Sequence, residues 1–384
     1  MDMIYFDNGA TTLQKPAQVA QAVMHGIGSL GNAGRSFYAP AMEAAREIYR
    51  ARQEVARLVG LQNPLFVAFT SGATESLNLV LDSLITPEDH VITTVLEHNS
   101  VLRPLYKIGC ALSFIPCDDT GRLVLDGLRP LLRHNTRFLV CTHGSNLTGA
   151  VTDVAVLKRF CNDNGLVFIL DVSQTLGHVE TCAGMADVLC FTGHKALFGP
   201  QGTGGIIANR PLDFRLVKTG GSGSDSFGGH QPLAMPDIFE AGTMNVPGLA
   251  GLRQGVAYVN RKGIDAIGQQ EHRLLSAFLA GVAEIPDVRL YGIQNDARHA
   301  ALPIVALNIG NLPADDAALQ LWERWRIATR AGSHCAPLVH RHFGTEKQGM
   351  VRFSFSLFNT LDEIDMALAA LKQIAAQGRG THGG

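Results

Sequence analysis

The sequence predicts an α/β fold: a mostly parallel seven-stranded sheet between helices, joined to a smaller α+β unit. Two observations carry this. Between residues 63 and 209 short, near-continuous apolar runs alternate with stretches of helical periodicity, which is how a parallel sheet covered on both faces reads. At Gly220-Gly221-Ser222-Gly223-Ser224 the alternation stops, and a different pattern follows it. Composition agrees: with 384 residues, 46% apolar and 17% charged, the chain can bury a large core and is too apolar to be disordered. A net charge of −2 gives no field for nucleic acid or anionic lipid. No run approaches the ~20 apolar residues that cross a bilayer, so neither a nucleic-acid nor a membrane partner is expected.

In chain order, the first sheet strand is 65–70, and it leads into a helix over 73–84 whose Leu77, Leu79, Val80, Leu81 and Leu84 are apolar. Strand 91–95, a helix near 100–108 and strands 112–115 and 137–142 come next. A helix over 153–164 precedes strand 167–170, and strands 188–191 and 205–208 complete the seven. The glycine-rich residues 220–229 read as a flexible segment near the mouth of a site. Beyond them lie helices over 248–261 and 269–284, strands near 304–309, 328–329 and 350–356, and a helix over 360–376. Residues 378–384 read as a frayed tail. Residues 1–7 lack the basic region and apolar stretch of a signal peptide. Seven scattered cysteines without a CxxC pair support neither a disulfide framework nor a zinc ribbon. Cys335, His340 and His342 find no fourth ligand at suitable spacing, so no metal is expected. The chain reads as cytoplasmic.

Three strand ends carry the chemistry. Lys195 closes Phe191-Thr192-Gly193-His194-Lys195 and precedes a glycine-dense loop over 199–205. Desolvated there, its ammonium would lose pKa and become a nucleophile toward an aldehyde. Asp171 follows strand 167–170, with Gln174 just after; a carboxylate at a strand's carboxyl end suits a pyridinium nitrogen. Thr70-Ser71-Gly72-Ala73-Thr74-Glu75 joins a strand to a helix, where free N–H groups and hydroxyls make an anion site. Singly these are a surface lysine, a turn cap and a capping box. Together they specify pyridoxal phosphate (PLP).

These segments, with residues 5–12, 97–99, 145–149, 239–243 and 330–335, resemble the class V, fold type I PLP enzymes, specifically the cysteine desulfurase and selenocysteine lyase family. The resemblance spans almost the whole chain. It implies that Lys195 carries PLP covalently and moves protons, that Asp171 pairs with the ring nitrogen, that His98 stacks on the ring, and that Gln174 bonds the phenolic oxygen. Ala73, Thr74, Thr192 and His194 would hold the phosphate, joined by Thr243 from the second subunit of a homodimer. Thr192 stands where the family often has serine. On the substrate side the resemblance implies Asn146, Ala10, Arg35 from a loop reaching toward the partner's site, and Arg352 clamping the carboxylate with its planar fork.

Cys335 resembles the loop cysteine of the short-loop, group II desulfurases, which takes sulfur as a persulfide. Neighbouring His334 and Arg330 are expected to favour its thiolate. Cys110, Cys117, Cys141, Cys161, Cys182 and Cys190 fall in or beside apolar runs and read as buried. The implied activity is PLP-dependent conversion of L-cysteine to L-alanine with sulfur left on Cys335 for an acceptor protein. The alternative is a selenocysteine lyase acting on L-selenocysteine, or another C–S β-lyase of the same family. A PLP-free scaffold is a third reading, and Lys195, Asp171, His98 and Arg352 together argue against it. The domains are read as 15–255, and 1–14 with 256–384.

Overall fold

The computed structural model describes residues 3–34, 36–221, 227, 229–292 and 301–380. Arg35 and much of the 220–229 segment therefore lie outside the described residues, as do 381–384. The large sheet has seven strands in the spatial order Val67–Thr70, Gly204–Ala208, Val188–Thr192, Val167–Asp171, Thr136–Thr142, His90–Thr94 and Ala111–Ile115. Gly204–Ala208 runs antiparallel to both neighbours, and the remaining pairs are parallel.

Side-chain alternation explains the continuous apolar runs. Leu139, Cys141, Phe168, Leu170, Leu189 and Phe191 point to one face and join the core with Ala44, Ala51 and Val55 of helix Ala39–Leu58 and with Leu249, Leu252 and Val256 of helix Val246–Lys262. Phe138, Val140, Ile169, Val188 and Cys190 point to the other, where helices Ala73–Leu84 and Asn99–Ile108 pack. Both faces are covered, so neither set of positions can be polar.

The C-terminal part builds a four-stranded antiparallel sheet in the order Arg330–Gly332, Met350–Ser354, Ile304–Ile309, Val288–Tyr291. Its core is aromatic: Phe6, Phe278, Phe353 and Phe355 are buried together. The chain's start belongs here too, because Ile4–Tyr5 pairs in parallel with Ile327–Ala328.

Several elements differ from the sequence expectation. Helices Ala17–Ser29 and Ala39–Leu58 were not expected, nor were Ala314–Trp325, Pro337–Phe343 and strand Val288–Tyr291. Helix Ala39–Leu58 buries Ala41, Ala44, Ile48, Ala51, Val55 and Ala56 along one stripe, opposite a face rich in charged residues. Gly26 interrupts helix Ala17–Ser29, and a Cβ there would meet Pro247 Cα at 2.6 Å, so glycine lets this helix close onto its neighbour. The last helix runs Leu361–Gly380 and takes in residues read as a frayed tail. Cys182 is exposed rather than buried, since it sits on an irregular stretch just before a short turn at Ala183–Met185.

Candidate active site

The loops at the strand carboxyl ends enclose a cavity of about 460 Å³, where an open α/β sheet binds its ligands. It is lined by Lys195, Asp171, Gln174, His98, Ala73, Thr74, Asn146, Thr192, His194, Arg352, Ala10 and Cys335, so residues scattered over more than three hundred positions converge. Thr243 is exposed and does not line it.

Lys195 and Asp171 enter from neighbouring strand ends. Burial pushes the lysine's pKa down to about 8, against the opposing pull of Asp171. The lysine turn is held from outside by the N-terminal segment. Thr12 donates its backbone N–H to the His194 carbonyl at 3.1 Å and its hydroxyl to the Lys195 carbonyl at 3.0 Å, and the Thr11 hydroxyl adds a bond to His194 at 3.2 Å. Asp171 is 5% exposed and its Oδ1 accepts the Ser173 N–H at 2.9 Å.

His98 caps helix Asn99–Ile108: its Nδ1 accepts the Ser100 N–H at 3.0 Å. That bond leaves the ring proton on Nε2, and burial holds the pKa below the ordinary histidine value, so the ring is neutral. Ser100 Oγ then links His98 Nδ1, at 2.9 Å, to Thr74 Oγ1, at 2.8 Å. Sequence reasoning passed over Ser100; its signal was its place two residues after His98.

Opposite, Arg352 lies 2% exposed. Its Nη1 donates to the Asn146 carbonyl at 3.0 Å and its Nη2 to Asp7 Oδ1 at 2.7 Å, while Nε is buried without a partner among the described residues. Asp7, also missed, lies 345 positions away in the chain, which hides the pair from sequence spacing. Asn146 donates from Nδ2 to the His334 carbonyl at 2.8 Å. Gln174 donates to the Gly9 carbonyl at 3.0 Å.

Cys335 is exposed on a turn where His334 and Cys335 both take positive φ, 51° and 55°. Non-glycine residues held there in succession are strained and need outside support. The Asn99 N–H supplies it by donating to the Cys335 carbonyl at 2.8 Å, which ties the cysteine turn to the helix that His98 caps. The expectation that His334 supplies positive charge is corrected. Burial, then the nearby Arg352 cation, push its pKa down to about 3, so its ring is neutral and Nε2 donates to the Arg330 carbonyl at 3.3 Å.

The residues fit a phosphorylated aldehyde cofactor. Helix Ala73–Leu84 starts at Gly72 with no side-chain cap, leaving N–H groups for an oxyanion. Thr74 and Thr192 add hydroxyls beside it. His194, neutral with its pKa pushed down to about 4 by burial and then by Lys195, keeps a buried Nδ1 with no partner among the described residues. At Gly204 a Cβ would sit 2.5 Å from Gly72 Cα, so only glycine lets the strand approach the turn that closely.

The class-V aminotransferase family model matches residues 4–367. A probable cysteine desulfurase of Pyrococcus abyssi is 31% identical over 387 residues, covering 97% of this chain and 94% of its own. The apo structure of a cysteine desulfurase from Thermococcus onnurineus superposes with a TM-score of 0.90 at 32% identity, over 98% of this chain and 95% of its own. A cysteine desulfurase of Escherichia coli in an S-sulfonic acid form gives 0.85 at 27% identity, over 97% and 94%. The chain therefore belongs to the class-V aminotransferase family, in its cysteine desulfurase group.

Proposed function

We propose that this chain is a PLP-dependent cysteine desulfurase that converts L-cysteine to L-alanine and keeps the sulfur on Cys335. The observation that carries this is an exposed cysteine lining the same cavity as a half-buried lysine of lowered pKa and a buried arginine. PLP, when bound, supplies an electron sink for bonds at the substrate's α and β carbons.

The chain's own groups do the rest. Asp171 would pair with the ring nitrogen, His98 would cover the ring face as a neutral partner, and Gln174 would bond the phenolic oxygen. Ala73 and Thr74, with Thr192 and His194, would hold the phosphate, joined by Thr243 of a second copy. Arg352 fixes the substrate carboxylate, held in place by Asp7; Asn146, Ala10 and Arg35 line the substrate side. Lys195, largely uncharged above its pKa, is the amine that would hold the cofactor through its aldehyde, and its Nζ would carry protons.

Cys335 Sγ, as thiolate, attacks the substrate sulfur. An S–S bond forms, the substrate C–S bond breaks, and its electron pair stays on the carbon skeleton, which is protonated to alanine. Net, L-cysteine and a thiol give L-alanine and a persulfide, with no outside oxidant. A cytoplasmic homodimer that passes this sulfur to an acceptor protein completes the reading, with domains 15–255, and 1–14 plus 256–384.

Cys335→Ala tests it. The variant should lose cysteine desulfuration while keeping PLP binding and selenocysteine breakdown, because the weaker C–Se bond can part without thiolate attack. As an exposed position it should keep its stability within ~0.5 kcal/mol. Equal rates on cysteine for variant and parent would leave a general β-lyase instead.

A further inference from the structure

Beside the cavity lies a carboxyl that this chemistry does not use. Glu97 immediately precedes His98 and is 0% exposed. Its Oε1 accepts the Thr94 hydroxyl at 2.5 Å and the Thr142 backbone N–H at 2.9 Å, while the buried Oε2 has no hydrogen-bond partner among the described residues. Among the described residues no cation pairs with it. The titratable groups that face it are Asp171, from strand Val167–Asp171, and the Cys141 thiol, from strand Thr136–Thr142.

Burial and Asp171 disfavour a charge here, and the bonds from Thr94 and Thr142 only partly offset them. Two donors on one oxygen do not replace the hydration of a carboxylate, and Asp171 repels a second anion. Burial, with Asp171 adding to it, pushes the Glu97 carboxyl up to about 8. Its hydrogen bonds are nonetheless well placed. Thr142 is the register partner of Asp171 across the sheet, and Glu97 opens the turn from which His98 caps its helix. One side chain thus spans the two elements that flank the cavity.

We propose that Glu97 is a positioning residue held as a neutral carboxylic acid, which locks the His98 turn to the strand end paired with Asp171 without adding a second anion beside it. The inference rests on the proposed roles of Asp171 and His98 at the cofactor ring.

The test is an infrared difference spectrum of the cofactor-free chain, parent minus Glu97→Gln, near neutral pH. A protonated-carboxyl band lost in the variant is expected; a carboxylate band overturns the neutral acid. In the holoenzyme, Glu97→Gln changes no charge and should leave the pH midpoint of the visible absorbance where the parent has it. Glu97→Ala removes the acceptor of both the Thr94 hydroxyl and the Thr142 N–H and should weaken PLP binding about tenfold, within the range of two lost buried hydrogen bonds, with Glu97→Gln restoring most of it. A shifted midpoint in Glu97→Gln, or parental PLP affinity in Glu97→Ala, overturns the positioning role. If Glu97→Ala does not fold, the infrared band and the Glu97→Gln midpoint decide. A parent chain that takes up no PLP overturns the functional reading instead, and the infrared band still decides the state of Glu97.

Discussion

Lys195 titrates where few lysines do, and two consequences follow at the residue scale. With its pKa near 8 through burial, the uncharged amine gains population as pH rises through that value. The rate at which PLP attaches to the cofactor-free chain should therefore climb between pH 7 and 9 and level off above, read by the growth of visible absorbance. The sign for stability follows from linkage: between the folded value near 8 and the unfolded value near 10.5 the unfolded chain binds more protons, so this group's contribution rises with pH across that window. Lys195→Ala should abolish both turnover and any borohydride-fixed PLP; a fixed adduct in the variant would move the role to another amine. Lys195 and Asp171 were legible because each closes an apolar strand run. Asp7 and Glu97 were not, because a partner hundreds of residues away, or a strand-end N–H, leaves no mark in local spacing.

At the scale of elements, the cavity depends on how closely the Gly204–Ala208 strand approaches the turn before helix Ala73–Leu84. Gly204→Ala puts a methyl 2.5 Å from Gly72 Cα, backbone against backbone, so the turn must move. Overpacking of this kind costs about 1–3 kcal/mol. Thermal unfolding should show that loss, and PLP should dissociate faster, since the displaced turn holds the free N–H groups. Unchanged stability and retention would mean that the turn is not held by this contact. The sheet strands were legible because both faces are buried. Helix Ala17–Ser29 escaped because it buries little more than Val19 and Gly26, which leave almost no apolar stripe, whereas Ala39–Leu58 carries a readable stripe of alanines with Ile48 and Val55.

At the scale of the whole molecule, distant segments are tied by a buried ion pair. Arg52, from helix Ala39–Leu58, and Glu240, before helix Val246–Lys262, are 7% and 6% exposed. Glu240 Oε1 also accepts the Phe69 N–H at 2.6 Å, from the edge strand that leads into the Gly72 turn. Glu240→Ala removes the guanidinium's charge partner and the acceptor of the Phe69 N–H together, leaving Arg52 its bond to the Val67 carbonyl, and breaking such a pair costs about 3–5 kcal/mol. Chemical denaturation should show a loss of that size; a change under 1 kcal/mol would mean that water takes over the partners. Glu240 was visible in sequence only through the 239–243 motif, and its pairing with Arg52 depends on the fold.

The central claim is that sulfur leaves cysteine onto Cys335. Mass spectrometry of the holoenzyme after a single turnover with L-cysteine tests it most directly. One added sulfur atom is expected on the peptide carrying Cys335, with one alanine formed per persulfide. An unmodified Cys335 peptide accompanied by pyruvate and ammonia would contradict it.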